Sequence, residues 1–346
     1  MARAPLGAVG YAHLRTWRPY TLWYVGLVGL AGNALAAARS AGSAGGRHPV
    51  GPALAAWAVP TLVWVAAHYL GDYLDRDLDA ISKPQRPIPS GLIRPGTALG
   101  CGIVLALAAF GTAAATAGRT LLVLVGGIAG AVAYNGFFKS RGLWGNAVRG
   151  ALTGAAFLFG ELTVTARPPL ALLPFIAVFC AHDTSSNLVG TLRDVDGDRA
   201  GGYVTFTVRH GLPIAGRTAA GLYAAALATA IAGVFIVSGH RPWYLAAVLV
   251  AAVLGGPAFR PLVAGPPPSQ RVALRAHEVL VAERVVLAGA LLTAGLSPPA
   301  ALAITLPALA VTVTTQRAMR TRHEIAPPAP APAGPVRPAA SNTAEA

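Results

Sequence analysis

Apolar runs of about 20 residues, the length that crosses a bilayer as an α-helix, recur along the chain at 20–38, 51–71, 96–116, 119–136, 145–163, 169–190, 213–238, 243–264 and 279–296. A further run at 299–316 follows Pro298-Pro299, so the last two segments read either as two spans or as one bent, re-entrant element. The strand alternation of a barrel is absent, and backbone in lipid must satisfy its own hydrogen bonds. The pattern therefore predicts an all-α polytopic membrane bundle of nine or ten helices. The first run is too long for the apolar region of a cleaved leader and is followed by more spans, so it reads as an anchor. Residues 1–316 form the predicted intramembrane domain, and 317–346 an Ala/Pro-rich tail without apolar periodicity, read as disordered.

Composition narrows the class. The 346 residues are 54% hydrophobic and 12% charged, against roughly 25% charged in soluble domains, and mean hydropathy is +0.56. A soluble globule of this size cannot be dressed with so little charge. Cys101 and Cys180 both lie inside apolar runs, which excludes a disulfide framework or a thiolate metal site. The net charge of +14 would suggest nucleic acid in a soluble protein, but no recognition helix or interleaved aromatic and basic segment accompanies it. Basic residues of polytopic proteins gather in cytoplasmic loops. With the N-terminus inside, the loops at 72–95 and 191–212 are rich in Arg and Lys, whereas the outer side holds only Arg39, Arg47, Arg119, Arg167 and Arg241. The pattern places both long loops in the cytoplasm of a cell whose plasma membrane holds the chain.

The acidic residues are not scattered. Asp72, Asp75, Asp77 and Asp79 form one cluster and Asp194, Asp196 and Asp198 another, seven of thirteen in all. At about 100° per residue, Asp72, Asp75 and Asp79 share one helix face within about 60°, while Asp77 points away. Asp194 and Asp198 likewise share a face at i,i+4, with Asp196 off it. Two oxygen-only faces without His or Cys suit a hard cation, Mg²⁺ above all, which commonly joins a few carboxylates to substrate phosphates. Arg86 in KPQRPIPSG, Arg193 beside the second cluster, and Lys139 on another cytoplasmic loop could hold a diphosphate. Tyr134 reads either as an interfacial aromatic or as a ligand. Asn187, His68, His182, Asp183, Glu161, Asn146 and Arg149 are polar within or at the ends of spans, where such groups are functional candidates.

GDYLDRDLDAISKPQRPIPSG and LRDVDGDRAGGYVTFTVRHG resemble the two aspartate-rich motifs of the UbiA-type intramembrane prenyltransferases. Asp72, Asp75 and Asp79 fall on the aspartates of the first motif, and Asp194, Gly197, Asp198, Gly202 and Gly211 on the second. Gly71 stands where the family usually has Asn, and Thr191 where many relatives have a further Asp. The resemblance implies a bundle of two repeated halves around a central cavity. There Asp72, Asp75, Asp79, Asp194 and Asp198 would bind Mg²⁺ and act catalytically, while Arg86, Tyr134, Lys139, Asn187 and Arg193 bind substrate.

The implied reaction belongs to isoprenoid biosynthesis: Mg-dependent transfer of an isoprenyl group from its diphosphate, through an allylic carbocation, to a lipophilic or aromatic acceptor. The expected partners are that diphosphate, the acceptor and membrane lipid, and not nucleic acid. The nearest alternative is a terpene cyclase on the same scaffold, which needs no acceptor. A transporter would place its charges near the bilayer midplane on broken helices, whereas these clusters sit at one membrane face.

Overall fold

In a computed structural model that describes residues 6–41 and 49–325, all regular structure among those residues is helical apart from one isolated bridge between Gly142 and Thr205. The bundle contains α2 (Pro19–Ala41), α3 (Val50–Leu74), α5 (Pro95–Thr116), α6 (Leu121–Ala133), α7 (Leu143–Val164), α8 (Leu173–Ala200), α10 (Leu212–Ala232), α11 (Arg241–Gly255), α13 (Gln270–Gly295) and α14 (Pro298–Thr315). Short helices decorate one end or link neighbours: α1 (Leu6–Trp17), α4 (Arg76–Ser82), α9 (Phe206–His210), α12 (Arg260–Val263) and α15 (Thr321–Glu324). Arg3, Arg47 and the tail beyond Ile325 lie outside the described residues.

Local sequence explains many boundaries. Prolines stand in the first turns of α5, α8, α10, α11 and α14, where the missing N–H costs nothing and φ is already helical. Gly211 adopts φ +82° at the α9–α10 junction, a conformation only glycine takes without strain. Interior helices approach through glycine: a Cβ on Gly160 of α7 would lie 1.8 Å from the carbonyl oxygen of Gly29 on α2. That contact draws α7 backbone onto α2 backbone, the usual device for helices that pack in lipid. Phe157, Phe175, Phe179 and Tyr244 fill the largest core around them. α6, with three glycines, is peripheral and buries only Leu124 of its thirteen residues.

Nine of the ten bundle helices are apolar enough to span a membrane, some counted together with their short helical extensions. The tenth, α13, carries Arg271, Arg275, Glu278, Glu283 and Arg284, yet Glu283 and Arg284 are buried inside the bundle. It begins at Gln270, well before the apolar run at 279–296, where the Ser269 side chain caps it by accepting from Val272 N. Leu296 and Ser297 separate it from α14, so Pro298-Pro299 divides two helices and there is no single bent element.

Two expectations need revision. Residues 317–325, assigned to the tail, are almost wholly helical: a π-helical turn over Gln316–Arg320 continues into α15. Arg320, His323 and Glu324 are buried, because these side chains find polar partners inside the bundle. Asp194 and Asp198 lie on α8 itself, which runs to Ala200, so the second acidic motif is helix and not loop.

Candidate active site

Both acidic motifs open onto one cavity of about 480 Å³ at the end of the bundle that carries α4, α9 and α15. All ten candidate residues line it: Asp72, Asp75, Asp79, Asp194, Asp198, Arg86, Tyr134, Lys139, Asn187 and Arg193. The first motif is not one continuous helix. α3 stops at Leu74, Asp75 sits in the turn and α4 begins at Arg76, but backbone bonds from Asp75 N to Gly71 O and from Asp79 N to Asp75 O, both 2.8 Å, keep the helical spacing. The face read from 3.6-residue geometry therefore survives the break. Asp77, off that face, has its side chain 87% exposed.

Each carboxylate of the first motif meets a cation from a different part of the chain. Asp72 is bonded by Arg18, Asp75 by Lys139 Nζ at 2.6 Å, and Asp79 by Arg86 Nη1 at 2.9 and 3.0 Å to its two oxygens. Arg18 turns the chain from α1 into α2 with φ +50°, a left-handed conformation uncommon for arginine. Lys139 follows a π-helical turn over Tyr134–Phe138, closed by Lys139 N to Tyr134 O at 2.8 Å. Burial alone would depress the Lys139 ammonium, but the Asp75 carboxylate outweighs it and holds the group above the usual lysine range. Burial opposes the charge on Arg86 too, and Asp79, Glu324 and Asp72 reverse that, raising it well above the ordinary value. Both cations stay charged at any working pH.

The second motif is wired differently. Arg193 bonds both oxygens of its neighbour Asp194, at 2.9 and 2.6 Å, and Lys83 approaches the same carboxylate at 3.1 Å. Asp198 is buried and forms no ion pair among the described residues. The motifs meet at the proline-stiffened loop after α4, where Lys83 faces Asp194 and Arg86 faces Asp79 and Asp72. Lys139 also lies over the Tyr203 ring at 5.2 Å, and Gly142 N donates to Val204 O at 3.2 Å, tying the loop after α6 to the loop after α8.

Farther into the cavity, Arg149 stacks on Trp64 at 4.1 Å and has no carboxylate partner among the described residues. Arg284 bonds Asp183 at 3.2 Å, Thr153 bonds the other oxygen of Asp183, and Asn146 donates to Asn187 at 2.8 Å. An apolar recess of about 60 Å³, lined by Val25, Val63, Leu124 and Phe159 among others, shares Trp64, Ala67 and Arg149 with the main cavity.

Among the described residues no three His, Cys, Asp or Glu side chains converge into a ready-built metal cage. The donors nonetheless fit Mg²⁺, which is usually held by one or two carboxylates together with substrate phosphate. Asp72 Oδ2 is buried without a partner, as are the donors Arg86 Nε and Arg193 Nη1. A cation and an anion entering together would satisfy atoms of both kinds.

The sequence profile of the UbiA prenyltransferase family matches residues 25–276. The chain belongs to that family and is a prenyltransferase. It is 34% identical over 220 residues to the digeranylgeranylglyceryl phosphate synthase of Natronomonas pharaonis, covering 59% of this chain and 73% of that one. The Halobacterium salinarum synthase is 31% identical over 244 residues, 68% of this chain and 86% of its own. Among solved structures, a digeranylgeranylglyceryl phosphate synthase superposes with a TM-score of 0.60 at 19% identity, over 83% of this chain and 98% of that one. A UbiA homologue from Archaeoglobus fulgidus bound to DMAPP and Mg²⁺ gives 0.57 at 16% identity, over 80% and 98%. At such identities the structural likeness establishes the fold.

Sequence reasoning passed over four groups at this site. Arg18 and Lys83 carried no assigned role, and Arg149 stood only as a polar residue in a span. Glu324 was placed in the tail, although the charged run QRAMRTRHE after the last apolar segment was the available signal.

Proposed function

We propose that the prenyltransferase takes an isoprenyl diphosphate with Mg²⁺ and transfers its isoprenyl group to the hydroxyl of a lipophilic acceptor that carries an anionic group. The observation that carries this reading is Arg149, a guanidinium without a carboxylate partner between the polar cavity and the apolar recess. An anionic acceptor would seat there while the diphosphate lies at the mouth. A glyceryl phosphate bearing one isoprenyl chain has this chemistry, in keeping with the name of the archaeal relatives.

Asp72, Asp75, Asp79, Asp194 and Asp198 would hold the metal, which when bound draws electron density from the diphosphate. Lys83, Arg86, Lys139 and Arg193 take the charge that grows on the departing diphosphate as its bond to C1 breaks. Trp64 and the apolar recess shield the allylic cation from water. The acceptor oxygen then bonds to C1, and its proton passes to the released diphosphate. The isoprenyl tail would follow the recess toward α6, the helix least held by the bundle. Positive residues around the acidic end support a cytoplasmic orientation of the site.

The test is to incubate purified protein with Mg²⁺ and geranyl, farnesyl or geranylgeranyl diphosphate, with and without geranylgeranylglyceryl phosphate, and to analyse the organic extract. We expect an ether product only when acceptor is present, lost in excess EDTA and restored by Mg²⁺. A cyclic hydrocarbon or alcohol formed without acceptor would overturn the reading in favour of a cyclase.

A further inference from the structure

Two carboxylates in the cavity belong to neither acidic motif, Asp183, held by Arg284, and Glu324. Glu324, on the last described helical turn, is buried and sends Oε2 to within 3.1 Å of Arg86 Nη2, 3.4 Å of Arg193 Nη2 and 3.5 Å of Lys83 Nζ. A single oxygen facing convergent guanidinium and ammonium donors is the arrangement that a phosphoryl oxygen requires. The same cations touch Asp79 and Asp194, so Glu324 sits where the two motifs face one another. We propose that the C-terminal turn is an internal latch: Glu324 occupies the anion position of the diphosphate cradle and gives it up when the isoprenyl diphosphate arrives. This rests on the reading of the cavity as a diphosphate site.

The segment is built to release at one end only. Upstream it is anchored, since Gln316 Nε2 donates to Glu278 O at 3.2 Å and Arg320 bonds His277 Nδ1 at 2.8 Å. Downstream the side-chain contacts among the described residues include those from Arg18 Nε to His323 Nε2 at 3.1 Å and from Gln85 Nε2 to His323 O at 3.2 Å, besides the Glu324 ion pairs. Opening the latch with nothing to replace it would leave Arg86, Arg193 and Lys83 with only the motif aspartates as counter-charge, fewer carboxylates than buried cations, which is unfavourable. A diphosphate supplies more negative charge than one carboxylate and removes that obstacle as it enters. Opening is thereby coupled to substrate arrival, and the cradle stays paired between turnovers.

Two measurements test the latch. In wild-type protein in detergent, trypsin cleavage after Arg322 is followed by mass spectrometry with and without saturating Mg²⁺-pyrophosphate. If the latch is closed about nine-tenths of the time, we expect cleavage to accelerate about tenfold with pyrophosphate. The second is Glu324→Gln, which keeps the shape and removes the charge. It should lower the KM for isoprenyl diphosphate by about tenfold at unchanged kcat, because the competing anion is gone. Pyrophosphate that raises the melting temperature yet leaves cleavage unchanged or slower would overturn the latch alone, as would a raised KM in Glu324→Gln. Pyrophosphate that alters neither melting nor cleavage would overturn the diphosphate site and the latch together.

Discussion

The two acidic motifs look equivalent in sequence and are held in different ways. In the first, three carboxylates are bonded by Arg18, Lys139 and Arg86, which come from the α1–α2 turn, the loop after α6 and the loop after α4. In the second, Asp194 is held by its own neighbour Arg193 and by Lys83, and Asp198 by no cation. The first motif is thus part of the bundle's long-range wiring as well as of its chemistry. Disturbing it unpairs a cation elsewhere, whereas Asp198 has no ion pair to lose among the described residues.

That contrast can be broken in graded steps. Asp79→Asn should have the largest effect on the fold, since it removes the charge that both nitrogen–oxygen contacts of buried Arg86 depend on. Loss of one partner of a buried pair costs about 3–5 kcal/mol, read as a lowered melting temperature and folded yield in detergent. Asp75→Asn should lower single-turnover transfer by at least about 10 to 100-fold, whereas Asp77→Asn, with its carboxylate in solvent, should leave the rate within about twofold of wild type. Equal rates for the two variants at matched folded yield would reduce the first motif to a patch of charge.

Asp198→Asn should change the melting temperature little, because no ion pair is lost, yet raise the Mg²⁺ concentration for half-maximal transfer about tenfold. A large stability loss with an unchanged Mg²⁺ requirement would erase the distinction between the motifs. Gly71→Asn is the mildest test. The nearest atom to a Cβ at 71 is Asn135 Oδ1 at 3.9 Å, ordinary contact distance, so we expect normal folding and a KM for the diphosphate equal to or below that of wild type.

Much of this was legible in the chain. Spacing alone put Asp72, Asp75 and Asp79 on one face and Asp77 off it, and the structure keeps that division even though the helix breaks at Asp75. Two features escaped for physical reasons. The apolar run at 279–296 marked only the second part of α13, which starts at Gln270, and it carried no record that Glu283 and Arg284 are satisfied by α8, a hundred residues away in sequence. Arg18 and Glu324 escaped for the same reason: each is defined by a partner from a distant segment, and a pattern along the chain carries no record of that. The lipid-facing positions, by contrast, need no partner, and their signal is fully local.

The π-helical turn at Tyr134–Phe138 bears on how this region tolerates change in length. A π-turn holds one residue more than an α-turn, so it behaves as a single-residue insertion absorbed without unravelling the helix. Deleting one residue of Tyr134–Phe138 would let the turn relax to an ordinary α-turn with the residues on either side still in phase, whereas deleting one residue of the regular α6 turns before it would rotate everything after by about 100°. In that second case Lys139 would leave the direction of Asp75, although no residue that touches the cavity's carboxylates had been replaced. The π-turn is thus a place where the chain can lose a residue and still aim Lys139 at Asp75.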